Sequence, residues 1–131
     1  MIILPLEVYY RNGKTKRSKL KKFILNLNNY RNTNGHELGY IKTAYKELIW
    51  HSIPNIKHTD SVELVYTYYR KDKVKIDVAN PCSIIDKFAC DVLVDKGVIA
   101  DDNWEYVKRS VYQWGGVDKE NPRCELSINK L

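Results

Sequence analysis

The stretch Asp77–Asp102, DVANPCSIIDKFACDVLVDKGVIADD, decides how this chain is read. Asn80-Pro81 is a helix start, because asparagine caps free backbone amides and proline is preset for a first helical position. Gly97 marks the helix end, since glycine readily closes a C-terminus. Between them, at about 3.6 residues per turn, Ile85, Ala89, Val92 and Leu93 form one apolar stripe bordered by Phe88. The preceding VELVYTYYR, Val62–Arg70, is β-branched and tyrosine-rich, and WEYVKRSVYQW follows the Asp101-Asp102 pair. A helix set between strands predicts a mixed α/β class.

Working outward, MIILPLEVYYR reads as a β-rich opening that turns at Asn12-Gly13, and KFILNLN, Lys22–Asn28, as its hairpin partner. Asn28–Gly39 is polar and irregular. Tyr40–Ile53 spaces Ile41, Ala44, Tyr45, Leu48 and Ile49 as a helical stripe, and Pro54 stops it. Lys71–Lys73 supplies a turn and Val74–Val78 a further strand, which puts Asp77 at the end of a hairpin. RCELSIN forms the last strand, after a loop over Gly115–Pro122. One small domain, residues 1–131, with a mixed β-sheet and about two main helices is expected.

At 131 residues the chain is long enough to bury a core without staples. No apolar run approaches the about 18 residues of a membrane span, so the expectation is a soluble, cytoplasmic protein without membrane contact. Cys82 and Cys90 lie about two turns apart on one helix, too far for a disulfide. With Cys124 they read as small core residues in a reducing compartment.

The formal charge is +6, and eight of the basic residues against one acid, Glu7, fall within Met1–Arg31. Lys14, Lys16, Arg17, Lys19, Lys21, Lys22 and Arg31 are therefore candidate phosphate contacts for DNA; a solvated hairpin tip is the bland alternative. Tyr30, Tyr66, Tyr68, Tyr69 and Trp104 are candidates for base stacking, although tyrosines on alternating strand positions more often face a core.

Six acids in the opening stretch run against this basic background. Asp86 lies about 20° from Leu93 on the helical wheel, at the margin of the buried stripe, where a carboxylate needs a partner. Lys87 and Asp91 share a more exposed face. Taken singly, Lys87 and Asp91 make a surface pair, Asp101-Asp102-Asn103 a turn, and Asp77 a local cap. Taken together, a strand end, its following helix and the loop leaving that helix are spatial neighbours. Converging carboxylates bind hard divalent cations that bridge to phosphate.

Asp77, Asn80, Lys87, Asp91-Val92-Leu93, Gly97 and Asp101-Asp102, with LNNYRN and KTAYKE upstream, resemble the RusA-like Holliday junction resolvases of phages and prophages. The resemblance covers most of the chain. It implies a RusA-like fold and a homodimeric, Mg²⁺-dependent (or Mn²⁺-dependent) endodeoxyribonuclease that nicks four-way or branched DNA symmetrically, in recombination and repair. It implies Asp77, Asp86, Asp91, Asp101 and Asp102 as candidate metal ligands, and Asp77, Asp86, Lys87 and Asp102 as the catalytic set. Lys87 would position the scissile phosphate or stabilise the transition state, and Asp91 would either bind metal or orient Lys87.

Two departures accompany the match. The family's second strand-end aspartate falls on Ala79, and the interval from Asn80 to Lys87 is about one turn longer. Either Asp86 supplies the missing ligand, although it lies roughly 10 Å along the helix from Ala79, or Ala79 removes one. A branched-DNA-binding protein without catalysis is accordingly the alternative reading, and a structural interaction domain with merely solvated acids is the third.

Overall fold

The computed structural model describes residues 1–13 and 17–131. The elements in chain order are β1 (Ile2–Leu4), β2 (Glu7–Arg11), β3 (Leu20–Ile24), α1 (Leu27–Arg31) and α2 (Gly35–Ile49), followed by a 3₁₀ turn (Trp50–Ser52). Then come β4 (Val62–Arg70), α3 (Ala79–Asp95), β5 (Val107–Val117) and β6 (Arg123–Lys130). The class is mixed α/β, as the alternation of periods predicts.

The architecture turns on β4. It pairs in parallel with β5 and antiparallel with β6, in a four-stranded sheet ordered β1-β6-β4-β5. A parallel pair needs a crossover, and α3 supplies it. Val62, Leu64, Tyr66 and Tyr68 alternate along β4 and are buried, as are Cys82, Ile85, Ala89, Val92 and Leu93 on α3. The other face of the sheet is polar and laced across strands. Arg109 Nε donates to Glu63 at 2.5 Å, Asn129 Nδ2 to Glu63 at 3.1 Å and Gln113 Nε2 to Thr67 at 2.9 Å.

Because β5 and β6 occupy both edges of β4, the strand expected over Val74–Val78 cannot pair with β4 as a hairpin. The segment is irregular, so Asp77 precedes a helix and ends no hairpin. The N-terminal hairpin also differs from expectation. Pro5 separates β1, which pairs with β6, from β2, which pairs with β3 in a second sheet of two strands. β3 stops at Ile24 because Asn26 caps α1, its Oδ1 accepting from the Asn29 amide at 2.8 Å. Helix α2 begins at Gly35, five residues earlier than the apolar stripe predicts, because Asn34 Oδ1 accepts from the Glu37 amide at 2.8 Å.

Helix α3 has close to the expected bounds, with a different start. Asn80 is inside the helix and its Oδ1 accepts from the Leu27 amide at 3.0 Å, tying α3 to α1; Asp77 Oδ1 accepts from the Ala79 amide at 3.1 Å. The C-terminus closes on Gly97, at φ 77°. The Gly97 amide donates to the Val94 carbonyl at 3.0 Å and the Val98 amide to that of Leu93 at 2.9 Å, the paired bonds of a Schellman motif. Val98 and Leu93 are both buried, completing the motif's apolar contact. That closure turns the chain back sharply and carries Asp101-Asp102 alongside the helix end.

The core centres on Phe88, which stacks on Phe23 with ring centroids 6.1 Å apart and meets the edges of Tyr30 and Tyr45 at 6.4 and 5.8 Å. Of the residues expected to face the core from α2, Leu48 is instead 54% exposed. Cys82, Cys90 and Cys124 are free and buried. Among the described residues, no helix is long and apolar enough to cross a membrane.

Candidate functional site

Helices α2 and α3 and the loop after Gly97 enclose a hollow of about 360 Å³. Asp91 and Asp95 enter from α3, Asp101 and Asp102 from the loop, and Lys42 and Lys46 from α2. Lys46 Nζ pairs with Asp95 at 3.0 Å, and Lys42 lines the same hollow with its Nζ 6.0 Å from the Phe88 ring centroid. Asp101 braces its loop: Oδ1 accepts from the Asp102 amide at 2.7 Å and Oδ2 from Asn103 Nδ2 at 3.0 Å. Packing around the Asp102 carboxyl, then the adjacent Asp101 and more weakly Asp91, raise its pKa above the usual carboxylate value. Crowded negative charge of this kind favours a proton or a cation.

Three of the five sequence-derived carboxylates, Asp91, Asp101 and Asp102, therefore share one hollow; Asp77 and Asp86 do not line it. Asp86 faces the sheet. Its Oδ1 accepts from Tyr66 Oη at 2.7 Å and Cys90 Sγ at 3.1 Å, and its Oδ2 from Tyr112 Oη at 2.6 Å. The partner that a core-margin carboxylate requires is thus a pair of tyrosines reaching from β4 and β5. Burial and then the Asp86 carboxylate push the Cys90 thiol far up, which leaves it un-ionised and unreactive. Tyr112 is raised in the same way.

Lys87 is exposed on α3, its Nζ 5.9 Å from the centroid of Tyr30, and among the described residues it forms no ion pair with Asp91. Asp77 is exposed at the helix start.

The basic segment is only partly free. Lys21 Nζ pairs with Glu37 at 3.0 Å and Lys22 with Glu7 at 3.7 Å. Tyr10 Oη also donates to Glu37, at 2.5 Å. Burial first, and then Glu37, push the Tyr10 phenol up to about 12, and the Tyr10 and Lys21 bonds lower the Glu37 pKa. Arg17, Lys19 and Arg31 are exposed. Lys14 and Lys16 lie outside the described residues.

The donor set suits a hard cation that keeps most of its water. Among the described residues, no group of three or more His, Cys, Asp or Glu side chains could hold a metal ion by itself. Mg²⁺ ordinarily binds through one or two carboxylates, with water and substrate phosphate completing its octahedron. Asp91 and Asp102, both exposed on the hollow, meet that requirement. The α2 lysines of the hollow belong to KTAYKE, to which the sequence assigns no site role. Lys42 and Lys46 are four apart, a spacing that marks one helix face but does not say what that face meets. No protein-family model matches the chain, and neither does any curated protein.

Proposed function

We propose that the protein is a Mg²⁺-dependent endonuclease of branched DNA, acting as a homodimer whose two sites address opposed strands. The observation that carries the reading is the convergence of Asp91, Asp101 and Asp102 on one hollow beside Lys42, in a chain of net charge +6. The order of Asp77, Asn80, Lys87, Asp91, Gly97 and Asp101-Asp102, resembling RusA-like resolvases, supports it. A two-fold dimer matches the symmetry of a four-way junction.

Asp91 and Asp102 would hold the ion, with Asp101 fixing the loop that presents Asp102. Bound there, Mg²⁺ supplies Lewis-acid polarisation of a phosphoryl oxygen and an activated water. Lys42 draws the phosphate to the acidic hollow, and Lys87, exposed four residues before Asp91, provides a second ammonium on the same helix for the DNA backbone. Arg17, Lys19 and Arg31 extend the cationic surface. Their charge sets affinity without sequence preference.

Incubation with a synthetic four-way junction and Mg²⁺ is expected to give paired nicks that EDTA abolishes. Asp102→Asn and Asp91→Asn are expected to remove cleavage and leave junction binding intact. Clean wild-type protein that never cuts would sink the enzymatic reading. Light scattering is expected to report a dimer.

A second reading, branched-DNA binding without catalysis, draws on Ala79 and on Asp86, whose oxygens are already engaged by Tyr66, Tyr112 and Cys90. It predicts salt-sensitive junction binding with no saturable Mg²⁺ or Mn²⁺ uptake in calorimetry.

A further inference from the structure

The structure separates the five aromatic residues that the sequence offers as stacking candidates. Tyr66 and Tyr68 are buried in the sheet, Tyr30 leans on Phe88, and Tyr69 is covered by Arg123, whose guanidinium carbon lies 4.1 Å from its centroid. Of these five, Trp104 stands out at 76% exposed. A single exposed ring is ordinary on a protein surface; what marks this one is the braced backbone that carries it and the cation beside it.

The backbone that carries the ring is braced. The Asn103 carbonyl accepts from the amides of Tyr106 at 3.1 Å and Val107 at 2.9 Å, and Asn103 Oδ1 accepts from the Glu105 amide at 2.9 Å. Trp104 is therefore fixed in a cross-braced turn. Lys108 Nζ sits 5.0 Å from its ring centroid. Two peptide units separate Trp104 from Asp102, which bounds their Cα separation at about 7.6 Å.

We propose that Trp104 and Lys108 form a stacking site for an unstacked nucleobase beside the acidic hollow, an inference that rests on the nucleic-acid reading above. The indole accepts the π-face of any base, and the Lys108 ammonium neutralises the phosphate flanking it. A continuous duplex keeps its bases stacked inside and offers the indole no face, whereas a branch point or single strand does. The pair thereby favours branched over linear DNA without reading sequence. Because the turn is already braced, little ordering is lost on binding.

Fluorescence anisotropy of the full chain with a labelled four-way junction, oligothymidylate and a linear duplex tests this. Trp114→Ala is the matched control: Trp114 is also exposed, at 47%, but lies about 23 Å along β5 from Val107 at roughly 3.3 Å per residue. Trp104→Ala is expected to weaken junction and oligothymidylate binding about 5- to 100-fold, the scale of one lost base stack, with duplex affinity unchanged. Trp104→Phe is expected to restore most of the loss, and Trp114→Ala to change nothing. Unchanged junction affinity in Trp104→Ala, or an equal loss on duplex, overturns the stacking site and leaves the nuclease reading standing. Wild-type protein that binds none of the three DNAs overturns both.

Discussion

At the scale of single residues, one carboxylate and one glycine show how local chemistry shapes the fold. Asp86 sits where helical geometry puts it, at the edge of the buried stripe, and its environment is hydroxyls and a thiol. Asp86→Ala is expected to destabilise the fold by about 1–3 kcal/mol, because the buried Tyr66 hydroxyl loses its charged acceptor. Asp86→Asn, which keeps an acceptor oxygen, is expected to cost less; urea midpoints of the two variants check the order. Gly115 is constrained by space. The pairing of β4 with β5 passes from Tyr68↔Trp114 to Tyr69↔Gly116, leaving Gly115 as the bulged residue. A Cβ there would meet the Tyr69 ring at 2.6 Å and Thr67 Cγ2 at 2.8 Å. Gly115→Ala is expected to lower stability by about 1–3 kcal/mol through overpacking, read from the same midpoints.

At the scale of elements, caps and tertiary hydrogen bonds decide where helices begin. Glu37 lies in the first turn of α2, where its charge is favoured, and it joins that helix to β2 and β3 through Tyr10 and Lys21. Its folded pKa lies below the ordinary glutamate value. It therefore contributes stability that is complete above that value and is lost as pH falls through the lower, folded value. Glu37→Gln is expected to be less stable than wild type near neutrality, with the gap narrowing on acidification, as denaturant titrations across that range will show. Helix ends were legible where the signal is local: Gly97 closes α3 as its position suggests. The start of α2 was missed by five residues, because the apolar stripe places it at Tyr40, whereas the local signal, Asn34 and Glu37 at capping-box spacing, lies in the stretch read as irregular.

At the scale of the whole molecule, one core links both sheets and all three helices, and the three cysteines lie inside it. Native protein is expected to resist a thiol reagent that reacts with all three in denaturant, and the slow native reaction is expected to track global opening. Steady reaction of one cysteine at low denaturant would instead place it in a locally opening segment. The same scale governs the candidate site, since Lys42 and Asp102 are far apart in the chain and line one hollow only because α2 packs on α3.

What the sequence determined by itself is whatever depends on a few neighbouring residues: the extent of β4 and α3, the glycine closure, the aspartates at the loop and the mixed α/β class. Periodicity and capping act within a turn or two, and so they can be read without the rest of the chain. Only the tertiary structure decided that β4 is central and flanked by β5 and β6, which denied Val74–Val78 a place beside β4. It also decided that Asp91, Asp101 and Asp102 share a hollow while Asp86 turns to Tyr66 and Tyr112. Spacing along a helix specifies direction about its axis, but what lies in that direction is set by the packing of distant segments.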